Sequence, residues 1–240
     1  MSVTNAPILL AFDTATDVCS VALAIGGEIV ESSETVGHAH SERLLPMIDA
    51  LLAQRGLRLA DCDAIAFGAG PGSFTGLRIA CSVAQGLAWG AGKRVIPVGN
   101  LAALARRACD GRSAARRVVA AVDARMREAY WAVYERRDGA CVELAPPALG
   151  AAAELGALID RWWPDVVAGD ALDAFPELAG HVASWERLPA LRASAAPIAA
   201  LALEAWRAGR TVAPHEAAPL YVRDRVALTV DERRAAQAAT

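Results

Sequence analysis

The chain opens with three hydrophobic runs that have the length and composition of β-strands. The runs Pro7–Asp13, Val18–Ile25 and Glu28–Val36 are rich in Val, Ile and Leu. Gly26-Gly27, between the second and third runs, is typical of a hairpin turn, because glycine adopts the required positive φ at little steric cost. The pattern therefore predicts a three-stranded meander at the start of the chain.

Beyond residue 40 the hydrophobic spacing becomes helical, and predicted helices alternate with strands. The predicted helices cover Ser41–Ala53, Phe74–Ala91 and Asn100–Cys109, and the predicted strands cover Asp63–Gly68 and Arg94–Val98. Since a helix that joins two strands of one sheet makes a right-handed crossover between parallel strands, the sheet should be mixed. Ser41 is the predicted N-cap of the first helix.

Two of these helices are more apolar than packing on one sheet requires. The first carries a broad stripe formed by Leu44, Leu45, Met47, Ile48, Leu51 and Leu52. The second has no charged residue between Arg78 and Lys93. A helix that is apolar almost all round must be covered almost all round. The chain's own core, a ligand and a second chain could each supply that cover.

The second half of the chain repeats the opening pattern. Val119–Ala124 matches Leu9–Thr14, and a second hydrophobic run and a glycine turn follow in both places, at an offset of about 110 residues. An arginine-rich stretch, residues 106–117, separates the two copies. We therefore expect an α/β subdomain over residues 1–110, a smaller one over 111–225 and a polar tail over 226–240.

The second copy is predicted to be reduced, because Pro146-Pro147 interrupts it. Its later elements are a helix over Ala151–Trp162, a strand over Asp165–Gly169 and a helix over Pro197–Ala208. Pro219–Arg223 is expected to dock on the rest of the chain as a short segment.

Composition excludes several classes of protein. The 240 residues are 55% hydrophobic and 21% charged, with a net charge of -3, so a stand-alone nucleic-acid-binding domain is not expected. No signal peptide and no apolar run of membrane-spanning length is present, so no membrane contact is expected. The five cysteines are scattered without a C-x-x-C pair, which is typical of a reduced, cytoplasmic protein.

A glycine loop between a predicted strand and the apolar helix is the main candidate for chemistry. Gly68, Gly70, Gly72 and Gly76 lie within nine residues, and a loop of this kind at a helix N-terminus can bind phosphate. Leu77 stands where a Walker loop has lysine, which weakens that interpretation. In the alternative interpretation, the glycines allow close packing against neighbouring backbone, and Ser73 caps the helix.

Asp13 and Asp123 end the first strand of each copy and could hold a magnesium-bound phosphate. They could equally cap their own turns. Ala124, Arg125 and Met126 would crowd a phosphate at Asp123, so we interpret the site as weakened or lost. The residues of this vestigial phosphate site are Asp13, Thr14, Gly70, Gly72, Ser73 and Asp123.

Other chemistry finds little support in the sequence. Pro71 and Thr75 stand where a serine nucleophile elbow at Ser73 would need glycine, and the four histidines have no metal-binding spacing. We therefore predict no catalytic residue and no metal site. Five arginines could meet RNA phosphates or belong to a solvated linker: Arg106, Arg107, Arg112, Arg116 and Arg117.

Several segments together resemble the TsaB (YeaZ) family. They are Ile8–Leu23, His40–Pro46, Gly68–Arg78 with Gly86–Ala88, Asp123–Arg125 and Pro219–Arg223. The resemblance implies an α/β fold of the duplicated actin/sugar-kinase/Hsp70-like (ribonuclease H-like) type, with two subdomains and mixed sheets. It also implies a non-catalytic role in bacterial synthesis of N6-threonylcarbamoyladenosine at position 37 of tRNAs that read ANN codons.

The resemblance further implies the partners. The paralogue TsaD would hold the metal ion and perform the transfer, the ATPase TsaE would join the complex, and tRNA would be met through the complex. TsaD carries a His-x-x-x-His motif where this chain reads Val98–Leu104, so both histidines are absent. A homodimer is a further possibility. The implied interface residues are Leu44, Leu45, Ile48, Leu52, Leu77, Ala80, Cys81 and Ala84.

Two other functions stay open at this point. One is an ATP-dependent phosphotransferase of the same fold, which would use Asp13 and Asp123 with Mg²⁺. The other is a metallopeptidase, which the missing metal ligands disfavour.

Overall fold

The computed structural model describes residues 6–110, 112 and 116–223. Two successive copies of the order β-β-β-α-β-α-β-α build the described chain. The first copy contains β1 (Leu9–Asp13), β2 (Val18–Ile25), β3 (Glu28–Thr35), α1 (His40–Gln54), β4 (Ala64–Gly70), α2 (Phe74–Ala91), β5 (Arg94–Gly99) and α3 (Asn100–Cys109). The second contains β6 (Arg117–Asp123), β7 (Glu128–Arg137), β8 (Ala140–Ala151), α4 (Ala152–Trp162), β9 (Val166–Ala168), α5 (Ala171–Ala174), β10 (Glu186–Leu188) and α6 (Ala195–Arg207).

The two copies form two five-stranded mixed sheets of the same topology. The strand orders are β3-β2-β1-β4-β5 and β8-β7-β6-β9-β10. In each sheet the first strand pairs antiparallel with the second and parallel with the fourth in chain order. The repeated hydrophobic pattern therefore reflects a duplicated α/β fold, and its topology agrees with the actin/sugar-kinase/Hsp70-like type that the family resemblance implies.

The helices and sheets alternate in layers around three hydrophobic clusters. α1 and α2 cover the outer face of the first sheet, and α4 and α5 cover the outer face of the second. α3 and α6 lie between the sheets in one shared cluster. α6, which the sequence assigns to the second copy, packs mainly on the first sheet, where the Ala195 N–H donates to Ser20 Oγ at 2.9 Å.

The structure corrects the predicted interface. Seven of the eight residues are buried in the chain's own core, at no more than 5% exposure: Leu44, Ile48, Leu52, Leu77, Ala80, Cys81 and Ala84. Their stripe covers the first sheet, so a partner would not touch these side chains. Only Leu45, at 45% exposure, remains available, and its place in an interface stays a prediction.

Several boundaries differ from the predicted ones. Pro146 and Pro147 do not interrupt the second copy, since both lie in β8, an edge strand whose pairing with β7 shifts register nearby. The three-residue strand β10 shows no hydrophobic pattern that could have revealed it. α1 begins at His40 without a side-chain cap, so Ser41 is not its N-cap. The predicted tail, 226–240, lies outside the described residues.

In the described part of the chain, every helix is too short or too polar to cross a membrane.

Candidate functional site

The glycine loop packs against the turn that follows β1. A Cβ atom at Gly76 would overlap the carbonyl oxygen of Thr14, and one at Gly72 would lie 2.8 Å from the Cβ of Ala15. The hydroxyl of Thr14 also donates to the Gly76 carbonyl at 2.7 Å. The two glycines are therefore required because the chain approaches itself closely here. This confirms the alternative interpretation of the glycine loop, in which the glycines allow close packing against neighbouring backbone.

Three backbone N–H groups of the glycine loop, which could otherwise bind a phosphate, already have hydrogen-bond acceptors within the chain. Ser73 donates to the Ala15 carbonyl at 2.9 Å, and Gly70 donates to Asn100 Oδ1 at 2.6 Å. Gly76 donates to Ser73 Oγ at 3.3 Å, which confirms Ser73 as the N-cap of α2. An anion bound to these three N–H groups would have to break internal hydrogen bonds.

Asp13 is fully buried at the carboxyl end of β1. Its Oδ1 accepts from Asn100 Nδ2 at 2.8 Å and from the Ala15 N–H at 3.3 Å, whereas its buried Oδ2 has no partner among the described residues. Burial raises the pKa of Asp13 to about 6, and the hydrogen bond from Asn100 opposes that rise. The carboxyl group therefore keeps its proton to a higher pH than an exposed aspartate does.

Asn100 belongs to this candidate site, although the sequence analysis does not predict it. It is the first residue of α3, is 4% exposed, and joins the ends of β1 and β4 through Asp13 and Gly70. A polar residue between an apolar strand and an apolar helix is the signal that could have revealed it. A Cβ at Gly68 would overlap Asp13 Oδ1, so this glycine also makes room for the network.

Asp123 lies in a different environment at the end of β6. Its carboxylate accepts from the Arg125 N–H at 2.8 Å and from Arg125 Nη1 at 3.0 Å, so it caps its own turn. Arg125, Met126 and Arg127 all have positive φ, at 62°, 55° and 61°. The surface cavity beside Asp123, about 330 Å³, has none of the Asp13 network in its lining. Asp123 is thus held within its own turn, apart from the hydrogen-bond network of Asp13.

A segment near the end of the described chain, Ala217–Arg223, bridges the two copies, and we call it the C-terminal strap. The Leu220 N–H donates to the Ala69 carbonyl at 2.6 Å on the first copy. Arg223 donates to the Ala124 carbonyl at 3.0 Å and pairs with Glu128 at 2.7 Å on the second. The predicted docking of Pro219–Arg223 is confirmed.

Most of the arginine-rich stretch is bound internally. Arg106 pairs with Glu204 and Arg112 pairs with Glu186, both at 2.7 Å. Arg107 donates to the Arg192 carbonyl, and Arg117 to the Trp162 carbonyl. Arg116 is exposed, and its side chain has no hydrogen-bond partner in the part of the chain that the structure describes. Four of the five side chains thus have partners within the chain, and contact of the stretch with RNA stays a prediction.

Across the described residues, no three His, Cys, Asp or Glu side chains come close enough together to hold a metal ion. His181 faces Asp160, with Nδ1 and Oδ2 2.8 Å apart, and His40 is buried. In the Val98–Leu104 segment, Asn100 turns to Asp13 while Leu101 and Leu104 enter the core.

The fold and site define a duplicated actin/sugar-kinase/Hsp70-like protein whose glycine loop is closed by its own backbone. The family model "TsaD: tRNA N6-adenosine threonylcarbamoyltransferase" matches residues 27–184. The chain belongs to this TsaD-related family and, within it, to the TsaB (YeaZ) proteins.

Individual relatives agree with this placement. The Escherichia coli protein named "tRNA threonylcarbamoyladenosine biosynthesis protein TsaB" is 37% identical over 91% of this chain and 96% of its own length. The Haemophilus influenzae protein of the same name is 53% identical, and that match spans 51% of this chain and 52% of the relative.

Two solved structures from Pseudomonas aeruginosa also match. One, described as similar to peptidase YeaZ, has a TM-score of 0.83 and 38% identity over 90% of this chain and all of its own. The other, YeaZ, has a TM-score of 0.78 and 37% identity over 90% and 99%.

Proposed function

We propose that this chain is a non-catalytic subunit of the bacterial tRNA N6-threonylcarbamoyladenosine-37 transferase complex. It belongs to the TsaB proteins of this biosynthesis and is related to TsaD. In the proposal it binds and supports the catalytic TsaD subunit together with TsaE in the cytoplasm. It needs no cofactor of its own, because ATP and the metal ion are used by the partner subunits.

The observation that carries the non-catalytic part is the occupied glycine loop. The N–H groups of Gly70, Ser73 and Gly76 bond to Asn100, Ala15 and Ser73 itself, so they do not point at a ligand. Catalysis of group transfer depends on donors preorganised toward the reacting group. A loop whose donors are engaged by the chain supports a binding role better than a chemical one.

The partner surface follows from the outward face of α2. Ile79, Val83 and Leu87, at four-residue spacing, pack on the core with part of each side chain and leave the rest exposed, next to the exposed Gly86 and Gly90. A Cβ at either glycine would meet no atom within 4 Å, so this part of the face is open. We propose that TsaD packs on this face and on Leu45 of α1, in place of the buried residues first predicted. A second copy of this chain is the alternative occupant.

Reconstitution tests the proposed function. An unmodified tRNA transcript is incubated with TsaD, TsaE and the enzyme that makes the threonylcarbamoyl-adenylate donor, with and without this chain. Modification is expected only when this chain is present, and this chain with the donor alone should leave the tRNA unmodified. Full modification without the chain, or modification by the chain in the absence of TsaD, contradicts the proposal.

One observation favours the phosphotransferase alternative: the buried Oδ2 of Asp13 has no hydrogen-bond partner in the described part of the chain. Calorimetry with ATP and Mg²⁺ separates the two functions. No binding is expected for the wild-type chain. Tight, magnesium-dependent binding that Asp13→Asn abolishes would support the alternative.

A further inference from the structure

A second surface lies at the amino ends of three parallel strands of the second sheet. Val118 of β6, Val166 of β9 and Glu186 of β10 lie side by side in the sheet. The residues just before these strands therefore meet at one edge, which bounds the sheet opposite the end where Asp123 lies. They include Arg116, Trp163 and Trp185.

Two tryptophans form the apolar part of this edge. The rings of Trp163 and Trp185 meet edge to face, with centroids 5.8 Å apart. Trp163 is 68% exposed and has φ 48° at the end of α4, a left-handed position at which glycine is typical. A bulky residue here is a genuine outlier. Neither helix termination nor core packing requires tryptophan at this position.

The edge is also cationic, although the chain as a whole is acidic. Glu186 pairs with Arg112, Asp160 faces His181, and Asp165 accepts from two backbone N–H groups while it keeps its negative charge. Arg116, Arg161 and Arg187 are exposed, and none of them has a carboxylate within ion-pair distance among the described residues.

We propose that this edge binds unpaired bases of RNA. The Trp–Arg platform consists of Trp163, Trp185, Arg116, Arg161 and Arg187. An exposed indole face stacks on a splayed base, and neighbouring guanidinium groups meet the phosphates. The inference rests on the proposed function, which brings tRNA to the complex, and it adds a direct contact from this chain. A protein partner would have to place carboxylates opposite these arginines, because burying them unpaired is costly, whereas every nucleotide of RNA carries a phosphate beside its base.

Binding of a labelled anticodon stem-loop RNA is the test, with the full chain alone and in the reconstituted complex. Trp163→Gly should fold, because the left-handed backbone suits glycine. The substitution should lower the affinity for the RNA by roughly 5- to 100-fold, which is the effect of losing one stacking contact between a base and an aromatic side chain. Trp89→Ala, which removes a tryptophan that is 72% exposed on α2, is the matched control and should bind as wild type.

A salt titration separates the arginine contribution. Arg116→Ala should lower the slope of log affinity against log salt by about 1, because one phosphate contact is lost. Arg58→Ala, at an exposed ion pair with Asp61 elsewhere, should leave the slope unchanged.

Three outcomes overturn the proposal: equal affinity of wild type and Trp163→Gly, equal binding of a fully paired RNA without a loop, or loss of TsaD or TsaE co-elution with RNA affinity retained. The last outcome makes the edge a protein interface. If tRNA modification requires the chain but Trp163→Gly binds RNA normally, the proposed function stands and this inference fails. If modification does not require the chain, the proposed function fails whether or not Trp163 contributes to RNA binding.

Discussion

At the scale of single residues, Asp13 couples stability to pH. The folded-state pKa of about 6 lies above the model value of 3.8, so the folded chain holds the proton more tightly than the unfolded chain. Stability is therefore expected to fall as pH rises from about 4 to about 6, by up to about 3 kcal/mol. Asp13→Asn removes the titrating group and should remove this dependence.

Urea unfolding of both proteins from pH 4 to pH 7 measures the difference between their unfolding free energies. That difference should shift in favour of the variant as pH rises. A constant difference across this range contradicts the burial argument. The constant offset itself is not predicted, since the amide places a donor where Oδ2 has no partner.

Two glycines in α2 provide a second test at this scale. Gly76→Ala should destabilise the chain by about 1–3 kcal/mol or more, because the new Cβ overlaps the Thr14 carbonyl. Gly86→Ala, in the same helix with no atom within 4 Å, should stabilise it by about 0.5–1 kcal/mol. Thermal unfolding of both variants checks the signs. Equal changes in stability for the two variants would show that helix propensity alone, and not the contact with Thr14, determines the effect of replacing glycine.

At the scale of elements, periodicity located the helices well but could not say what covers them. α2 and α3 begin and end where the hydrophobic pattern predicts. The hydrophobic stripe on α1 has the same spacing whether it packs on its own sheet or on a partner, so the pattern could not contradict the interface that the family resemblance implies for Leu44 and Ile48. β8 escaped prediction because Pro146 and Pro147 are tolerated at a sheet edge, and edge position is not visible in sequence.

The corrected helix face gives a sharper mutational test of pairing. Gly86→Glu places a charge on the open face of α2, which should abolish co-elution with TsaD in gel filtration because an unpaired charge is costly to bury. The isolated variant should fold at least as well as wild type, since glutamate favours helix over glycine. Leu45→Glu should act in the same way.

The matched control is Ala157→Glu, which adds the same charge at an exposed position on α4. It should co-elute with TsaD as wild type does. Normal co-elution of both Gly86→Glu and Leu45→Glu would exclude the proposed face. Ala84→Glu is unsuitable, because Ala84 is fully buried and the variant would misfold.

At the scale of the whole molecule, the repeat predicted a duplicated fold, while the contacts between the copies came only from the structure. α3 and α6 lie in one cluster between the sheets. Within the first copy, the network of Asp13, Gly70 and Asn100 joins residues 87 positions apart at its widest. Contacts of both kinds depend on how the strands are ordered in space, and no local sequence pattern encodes them.

The C-terminal strap should contribute to holding the two copies together. Arg223 is mostly buried and satisfies both Glu128 and the Ala124 carbonyl of the second copy, while Leu220 bonds to the first. Arg223→Ala should therefore lower the free energy of unfolding by roughly 1–3 kcal/mol, because it leaves a carboxylate and a carbonyl without their donor. Hydrogen exchange at the Leu220 amide should also become faster, since the strap loses one of its anchors.

Arg210→Ala is the control for this variant, because Arg210 is exposed and has no ion pair in the described part of the chain. Its stability and its Leu220 exchange rate should match wild type. If Arg223→Ala also leaves both quantities unchanged, the strap does not join the copies. If stability falls while Leu220 exchange stays slow, Arg223 supports only the β6–β7 turn. If the strap bridges the two copies, Arg223→Ala should both lower the stability of the chain and speed up exchange at the Leu220 amide.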